Sequence, residues 1–580
     1  MTKDIGMDMQ EIGQGGPKAP RDPVKKRSCL YVMMDTAIEA SARKDSKPSQ
    51  EFYLDQKRII DKVKLASGFT DESIVNLLGD CQGFQKLVHS IGVTIQSDSD
   101  PEGTVDFVFQ NWGRVNIYET GTRIKISCPK NGTEVVFKLE DYPWKEEDDV
   151  VGKFGFEFDE VGDMAVATVR LYLNDGYEVP EIITEAPVDF TSGEYQDMIA
   201  ASLMSRGNNY RLKAAIEKAK RGEEVTIAYI GGSITQGAGA KPINTGCYAY
   251  KSYLRFKELF GRDGGKNVRY VKAGVGGTPS ELGMLRYDRD VLRKGSVCPD
   301  IVIIEFAVND NGDETNGVCY ESLCLKALNG PGRPAVILLY SVFLNDWNLQ
   351  DRLAPIGNHY NLPMVSVKDA VVEQFKLSKE KGNVISKRQF FFDVFHPTND
   401  GHTVMADCLS YLFTETDRSA ADQEDLNTDQ EPFLGNWFMD ICLIDRMENT
   451  DMVKISEGSF TGMDNDLQAV EMDEDLIPTP QFPNNWMHIP QSGREDFKIT
   501  AVSKSLVLIF KDSGSSSFGK ADVYVDGSYL KTLDPHENNW THCNPAIIYR
   551  EDTPGEHVVT VRMAAGDEGK SFTILGIGIQ

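Results

Sequence analysis

Residues 225–237 read VTIAYIGGSITQG. The run from Val225 to Ile230 carries no charge and does not alternate, which is the pattern of a parallel strand covered on both faces. Gly231 and Gly232 then let the backbone turn tightly. Ser233 is thereby placed at the C-terminal end of a strand, opening toward a helix, where α/β sheets bind their ligands. Alone, Gly-Gly-Ser after a strand also fits an ordinary turn. Two better-known glycine loops are excluded by the residues that follow. A Walker A loop needs Lys and Ser/Thr after its second glycine, but Gly237 is followed by Ala238 and Gly239, and an α/β-hydrolase elbow needs glycine where Thr235 stands.

Further along, the same pattern recurs in NVRYVKAG (267–274), DIVIIEFAV (300–308), AVILLYSVF (335–343) and PMVSVKDA (363–370). Helical spacing covers Asn208 to Arg221, Tyr248 to Phe260, Glu281 to Leu292 and Gly401 to Leu412. This alternation predicts a doubly wound α/β domain over 191–425. On either side the period falls to two. TVDFVFQNW (104–112), RVNIYETG (114–121), TRIKISC (122–128), TEVVFKLE (133–140) and MAVATVRLYL (164–173) predict an N-terminal β-rich, jelly-roll-like domain over 28–190, with helix around Gln56 to Leu65. SLVLIFKD (505–512), KADVYVDG (520–527), HVVTVRMA (557–564) and SFTILGIGI (571–579) predict a C-terminal β-sandwich over 426–580. Residues 1–27 are expected to be a disordered tail, and Glu178 to Ala186 a linker.

A chain of 580 residues exceeds a single core, so roughly two to four domains are expected. The net charge of -27 repels phosphates and anionic headgroups, so neither nucleic acid nor a membrane is an expected partner. A neutral sugar ester meets no such barrier. The first 28 residues lack an apolar signal region, and no run elsewhere is long enough to span a bilayer, so a cytoplasmic location is expected. The 10 cysteines show no CxxC pair and no metal-ligand spacing. No metal or cofactor is therefore expected, and oligomeric state is left open. The acidic clusters Asp464-Asn465-Asp466 and Glu471 to Asp475 lack EF-hand spacing and read as solvated loops.

A nucleophilic serine needs a base, and the base needs a carboxylate. Asp393-Val394-Phe395-His396-Pro397, ahead of the last helix, can supply both from one loop. His402, in a first helical turn, is the competing base and reads as structural. Oxyanion donors are available at other strand ends: the backbone of Gly277 in Gly274-Val275-Gly276-Gly277-Thr278, the Asn309 amide in Ala307-Val308-Asn309-Asp310, and the N–H of Ser233. Trp347, after the fourth strand, could stack on a sugar ring or simply pack. Trp437, Trp486 and Trp540 read as core or interface residues.

In chain order, Gly231-Gly232-Ser233-Ile234-Thr235, Gly277, Asn309-Asp310, and Asp393 with His396 resemble the four blocks of the SGNH (GDSL-like) hydrolase superfamily. The resemblance covers about residues 195–420. It implies a flavodoxin-like three-layer sandwich, a metal-free triad of Ser233, Asp393 and His396, and an oxyanion hole of Ser233, Gly277 and Asn309. Gly232 replaces the aspartate of Gly-Asp-Ser, and Ala307 the first glycine of Gly-x-Asn-Asp. The first departure resembles carbohydrate-esterase branches that deacetylate xylan or mannan. The expected activity is removal of O-acetyl groups from hemicellulose-derived oligosaccharides, acetylated xylo-oligosaccharides first among them. Alternatives on the same residues are a non-carbohydrate acyl esterase or lipase and an O-acyltransferase. A decayed carbohydrate-binding protein is the alternative of another class.

Overall fold

A computed structural model of the chain describes residues 27–43, 46–114, 121–182, 185–448 and 453–580. The first 26 residues and most of RVNIYETG lie outside the described residues. The chain divides into two compact units: Met1–Asp35 with Glu51–Gly155 and Ala167–Ile183, and Thr36–Gln50 with Phe156–Val166 and Thr184–Gln580.

The N-terminal third contains two four-stranded sheets. One orders Cys29–Glu39, Met164–Leu173, Val88–Gln96 and Val135–Lys138, and the other Ser49–Tyr53, Asp148–Glu157, Thr104–Gly113 and Arg123–Pro129. Alternate residues of these strands turn inward, as in the run of Val105, Phe107 and Phe109, all buried.

In the second unit, β1 (Leu203–Ser205), β2 (Val225–Gly231), β3 (Val268–Gly274), β4 (Ile301–Glu305), β5 (Ala335–Tyr340) and β6 (Met364–Ser366) form one sheet in the order β3-β2-β4-β5-β6-β1. All pairs are parallel except β6 with β1, an antiparallel strand on the edge. Every residue of β2, β4 and β5 is buried, which accounts for their unbroken apolar runs. The order reverses at β2, between β3 and β4, and that switch point holds the Gly-Gly-Ser turn.

The helices of this unit include α1 (Tyr210–Lys220), α2 (Ser233–Gln236), α3 (Tyr248–Phe260), α4 (Ser280–Asp290), α5 (Val318–Leu328), α6 (Gln350–His359), α7 (Val367–Phe375) and α8 (Asn399–Arg418). Helices α1 and α3 pack against α8, whereas α4 and α5 pack together over Ala228, Ile230, Val302 and Ile304. PMVSVKDA is strand only to Ser366. The Ser366 hydroxyl accepts from Asp369 N and starts α7, so the apolar run from Val367 continues as a buried helix face.

After α8 come an irregular stretch and an eight-stranded antiparallel sheet, built around β7 (Phe497–Asp512), β8 (His542–Met563) and β9 (Phe572–Ile579). One face of this sheet buries a core of its own, with Trp486, Phe497, Ile499, Leu508, Val561 and Ile577, and the other face packs on the α/β layer. Phe438, Ile441, Val470, Phe482, Val507, Ile509 and Leu575 are buried in one cluster with Leu285, Ile304 and Leu323 of the α/β layer. Glu321 on α5 anchors the crossing, its carboxylate accepting from the N–H groups of Phe433, Leu434 and Gly435.

The acidic clusters are solvated only in part: Asn465, Asp466, Glu474 and Asp475 are exposed, but Asp464, Glu471 and Asp473 are engaged by the fold. Asp464 is 5% exposed and accepts from Lys511 Nζ at 3.0 Å and Thr573 Oγ1 at 2.9 Å. Glu471 accepts from Gln236 Nε2 at 2.8 Å, and Asp473 is bound by Arg293 and by Lys272 N. Partners distant in sequence neutralise what local reading assigned to water.

Candidate active site

Ser233 is the first residue of α2, immediately past β2. The short helix is set by two constraints from outside it. Arg286 of α4, fully buried, donates to Gly231 O at 2.8 Å and Ala273 O at 2.7 Å, tying the ends of β2 and β3 together. Gly232 meets Asn309: a β-carbon at 232 would lie 2.3 Å from Asn309 Oδ1. Glycine at this position, in place of the usual aspartate, is what lets the amide lie against the turn.

Ser233 Oγ stands 3.0 Å from His396 Nε2, and His396 Nδ1 lies 3.0 Å from each Asp393 oxygen. Asp393 Oδ1 also accepts from the N–H groups of Phe395 and His396, so the loop is folded around its own carboxylate. This fixes the imidazole with one nitrogen toward Asp393 and the other toward the hydroxyl. The side chains of His396 and Asp393 are about a fifth to a quarter exposed, at 21% and 24%, so substrate can reach them. His402 is wholly buried instead. It accepts from Tyr248 N and faces Ala238 O, and burial pushes its imidazole down to about 3, so it stays neutral.

The Gly277 loop is held from two sides. Gly276 N donates to Gln236 Oε1 at 3.1 Å, and Gln468 Nε2 donates to Gly276 O at 2.7 Å. Among the described residues the N–H groups of Ser233 and Gly277 have no acceptor, and Asn309 Oδ1 has no partner. Asp310, next to Asn309, is buried and accepts from Ser280 N and Oγ; desolvation raises its carboxyl to about 7. The structure thus brings Ser233, Gly277, Asn309, Asp393 and His396 to one rim of the sheet.

Aromatic rings flank this rim. Trp347 stacks on Phe343 at 5.7 Å, Phe343 meets Phe395 edge-on at 5.1 Å, and Phe395 lies 6.1 Å from the His396 ring. Phe395 is 44% exposed. On the Gly277 side stands Trp540 of the C-terminal sheet, 45% exposed and 4.7 Å from the His542 ring. Trp486 is buried, and Trp437 lies 3.6 Å beneath the Arg550 guanidinium, but Trp540 is neither core nor covered interface, a correction to its expected place. Phe343 and His542 were not singled out in the sequence, and Phe395 and Trp540 were not read there as site residues. Phe395 could have been found inside Asp-Val-Phe-His-Pro; Trp540 had no local signal.

Glu281, Asp313 and Cys319, all buried, bring donor atoms within 4.8 Å of one another behind the Asn309 loop. Asp313 is already committed to Thr315 N, Thr315 Oγ1 and Gly317 N, and burial raises the Cys319 thiol well above its usual range. A protonated thiol and a saturated carboxylate make a poor cation site.

Residues 229–404 match the model of the GDSL-like lipase/acylhydrolase family. Among solved structures, a two-domain esterase active on acetylated mannans is 27% identical with a TM-score of 0.56, over 66% of this chain and 97% of that one. The form co-crystallised with mannopentaose aligns at 26% and 0.55, with the same coverage. No curated protein sequence matches. The described residues include no helix long and apolar enough to cross a membrane. With its parallel sheet and its blocks at successive strand ends, the chain carries a GDSL-like (SGNH-type) domain over 229–404 and is a carboxylic ester hydrolase that resembles carbohydrate esterases.

Proposed function

We propose that the protein removes O-acetyl groups from hemicellulose-derived oligosaccharides, acetylated manno-oligosaccharides in preference to xylo-oligosaccharides, through an acyl-enzyme on Ser233. The observation that carries the reading is the hydrogen-bonded chain Ser233–His396–Asp393 with two exposed rings, Phe395 and Trp540, beside it. Aromatic faces suit the apolar faces of a neutral sugar, and the charge of -27 disfavours an anionic substrate. The similarity to an esterase active on acetylated mannans supports mannan over xylan.

In the proposed cycle His396 Nε2 takes the Ser233 proton as Oγ attacks the acetyl carbonyl. The N–H groups of Ser233 and Gly277 and the Asn309 amide stabilise the oxyanion, and Asp393 stabilises the imidazolium. His396 then protonates the departing sugar oxygen. Water, deprotonated by the same histidine, attacks the acetyl-serine, and collapse releases acetate and restores Ser233. Acetate release from acetylated manno-, xylo- and chito-oligosaccharides, mapped by NMR, tests the reading. Faster deacetylation of xylan or chitin fragments than of mannan fragments overturns the mannan assignment.

A further inference from the structure

We propose that Glu305 is a positioning residue for the nucleophile, acting through Thr235. The inference rests on Ser233 being the nucleophile.

Glu305 ends β4 and pairs in register with Gly231, so it sits directly beside the Gly-Gly-Ser turn. It is 0% exposed and forms no ion pair among the described residues. One carboxyl oxygen accepts from Thr235 Oγ1 at 3.2 Å, and the other from Ser341 Oγ, just past β5. Thr235 Oγ1 in turn lies 2.8 Å from Tyr248 OH on α3. Thr235 is itself 0% exposed and lies in α2, two residues beyond Ser233.

In its ionised form Glu305 has no proton to give. Thr235 and Ser341 then both donate to it, and Thr235 accepts from Tyr248. The direction of each bond beneath the nucleophile turn follows from this one acceptor. Helix α2 has only one turn and no side-chain cap, so little within it holds the Ser233 rotamer. The tie from Thr235 to β4 supplies that constraint from below, on the same strand that carries Asn309 at its exit. Nucleophile and oxyanion donor are thereby referenced to one strand.

The titratable groups around Glu305 are His396 and the phenols Tyr248 and Tyr320, both held neutral by burial. Desolvation raises the Glu305 carboxyl to about 7.

The test uses the full-length protein, a small aryl acetate, and a fluorophosphonate that labels the active nucleophile and counts competent sites. Thr235→Val and Glu305→Gln preserve shape, and Glu305→Ala removes the acceptor. The expected result for Thr235→Val is a kcat per labelled site down about tenfold or more, with KM within about twofold. Glu305→Gln, which can still accept from Thr235, loses less than Glu305→Ala. The double variant Thr235→Val/Glu305→Ala is no slower than Glu305→Ala, because both act on one bond. Thr235→Val at wild-type kcat, or a double variant whose losses multiply, overturns the proposal. If the fluorophosphonate does not label Ser233 in the wild type, the nucleophile assignment fails instead.

Discussion

Trp540 stands against Gly277: a β-carbon built on that glycine would lie 2.9 Å from Trp540 Cζ2 and 3.0 Å from His542 Nε2. Gly277 has φ +73°, so two independent reasons exclude a side chain there. An indole of the C-terminal sheet therefore borders the loop from which an oxyanion donor is proposed, with nearly half its surface free for a ligand. Trp540→Ala is expected to raise KM for an acetylated oligosaccharide about five- to tenfold, with a small aryl acetate little affected. Parallel steady-state kinetics on the two substrates check this. Equal effects on both would assign Trp540 to loop support alone.

Ser233→Ala is expected to lower acetate release by about 10⁴-fold or more at unchanged melting temperature, and His396→Ala comparably. His402→Ala should act through stability instead. It removes the neutral imidazole that accepts from Tyr248 N and faces Ala238 O, costing about 1–3 kcal/mol. Melting curves beside kcat distinguish the two histidines. A large kcat loss in His402→Ala without a change in melting temperature would reverse their roles.

Gly232→Ala is expected to lower kcat by up to about 10²-fold, since the new methyl must displace the Asn309 side chain. KM should change little, because the amide is proposed to act on the developing oxyanion and not on the bound ester. Unaltered kcat would show that Asn309 adapts, or that it is no oxyanion donor.

Thermal stability should fall as pH rises above about 7. Burial raises the carboxyls of Asp310 to about 7 and Glu281 to about 9, so the folded state binds these protons more tightly than the unfolded chain. Their contribution is complete below the unfolded carboxylate range, near about 4, and is lost as pH rises from there to the folded value of each, so that above neutrality the loss is that of Glu281. His402, pushed down to about 3, and His542, to about 4, act on the other side. Stability from them is present above the unfolded imidazole value and is lost as pH falls toward 4. Glu281→Gln should flatten the alkaline fall in a melting-temperature profile. A fall as steep as wild type would show that Glu281 is not its source.

Exhaustive chelation is expected to leave aryl acetate hydrolysis unchanged, because the proposed cycle uses only side chains and backbone donors. Activity lost to chelator and restored by added metal would redirect attention to Glu281, Asp313 and Cys319.

The parts of the site that were legible in the sequence are those written locally. Ser233, Gly277, Asn309, Asp393 and His396 lie in short blocks, four of the five following a strand or heading a helix. The unalternating runs of β2, β4 and β5 reported their own burial. What escaped depends on chain brought in from elsewhere. Trp540 becomes part of the rim only because the C-terminal sheet packs there, and nothing near it in sequence records Gly277. Asp464 and Asp473 looked solvated because Lys511 and Arg293, which neutralise them, and the Lys272 N–H, from which Asp473 accepts, are far off along the chain. Glu305 was concealed inside DIVIIEFAV, where one carboxylate in an apolar run reads as noise unless its hydroxyl partners are known.

The shared apolar core has a consequence for how this enzyme could diversify. A sandwich strung on a flexible tether can be exchanged for another by gene fusion, and specificity then changes by swapping modules. Here Phe438, Ile441, Val507 and Leu575 complete the packing around Leu285 and Leu323, and Glu321 holds the N–H groups of the crossing chain. A transplanted sandwich would have to reproduce that packing before it could offer a new rim. Change of substrate is thus confined to the exposed rings themselves, and laboratory evolution should sample Trp540, Phe395 and Trp347 before any recombination of domains.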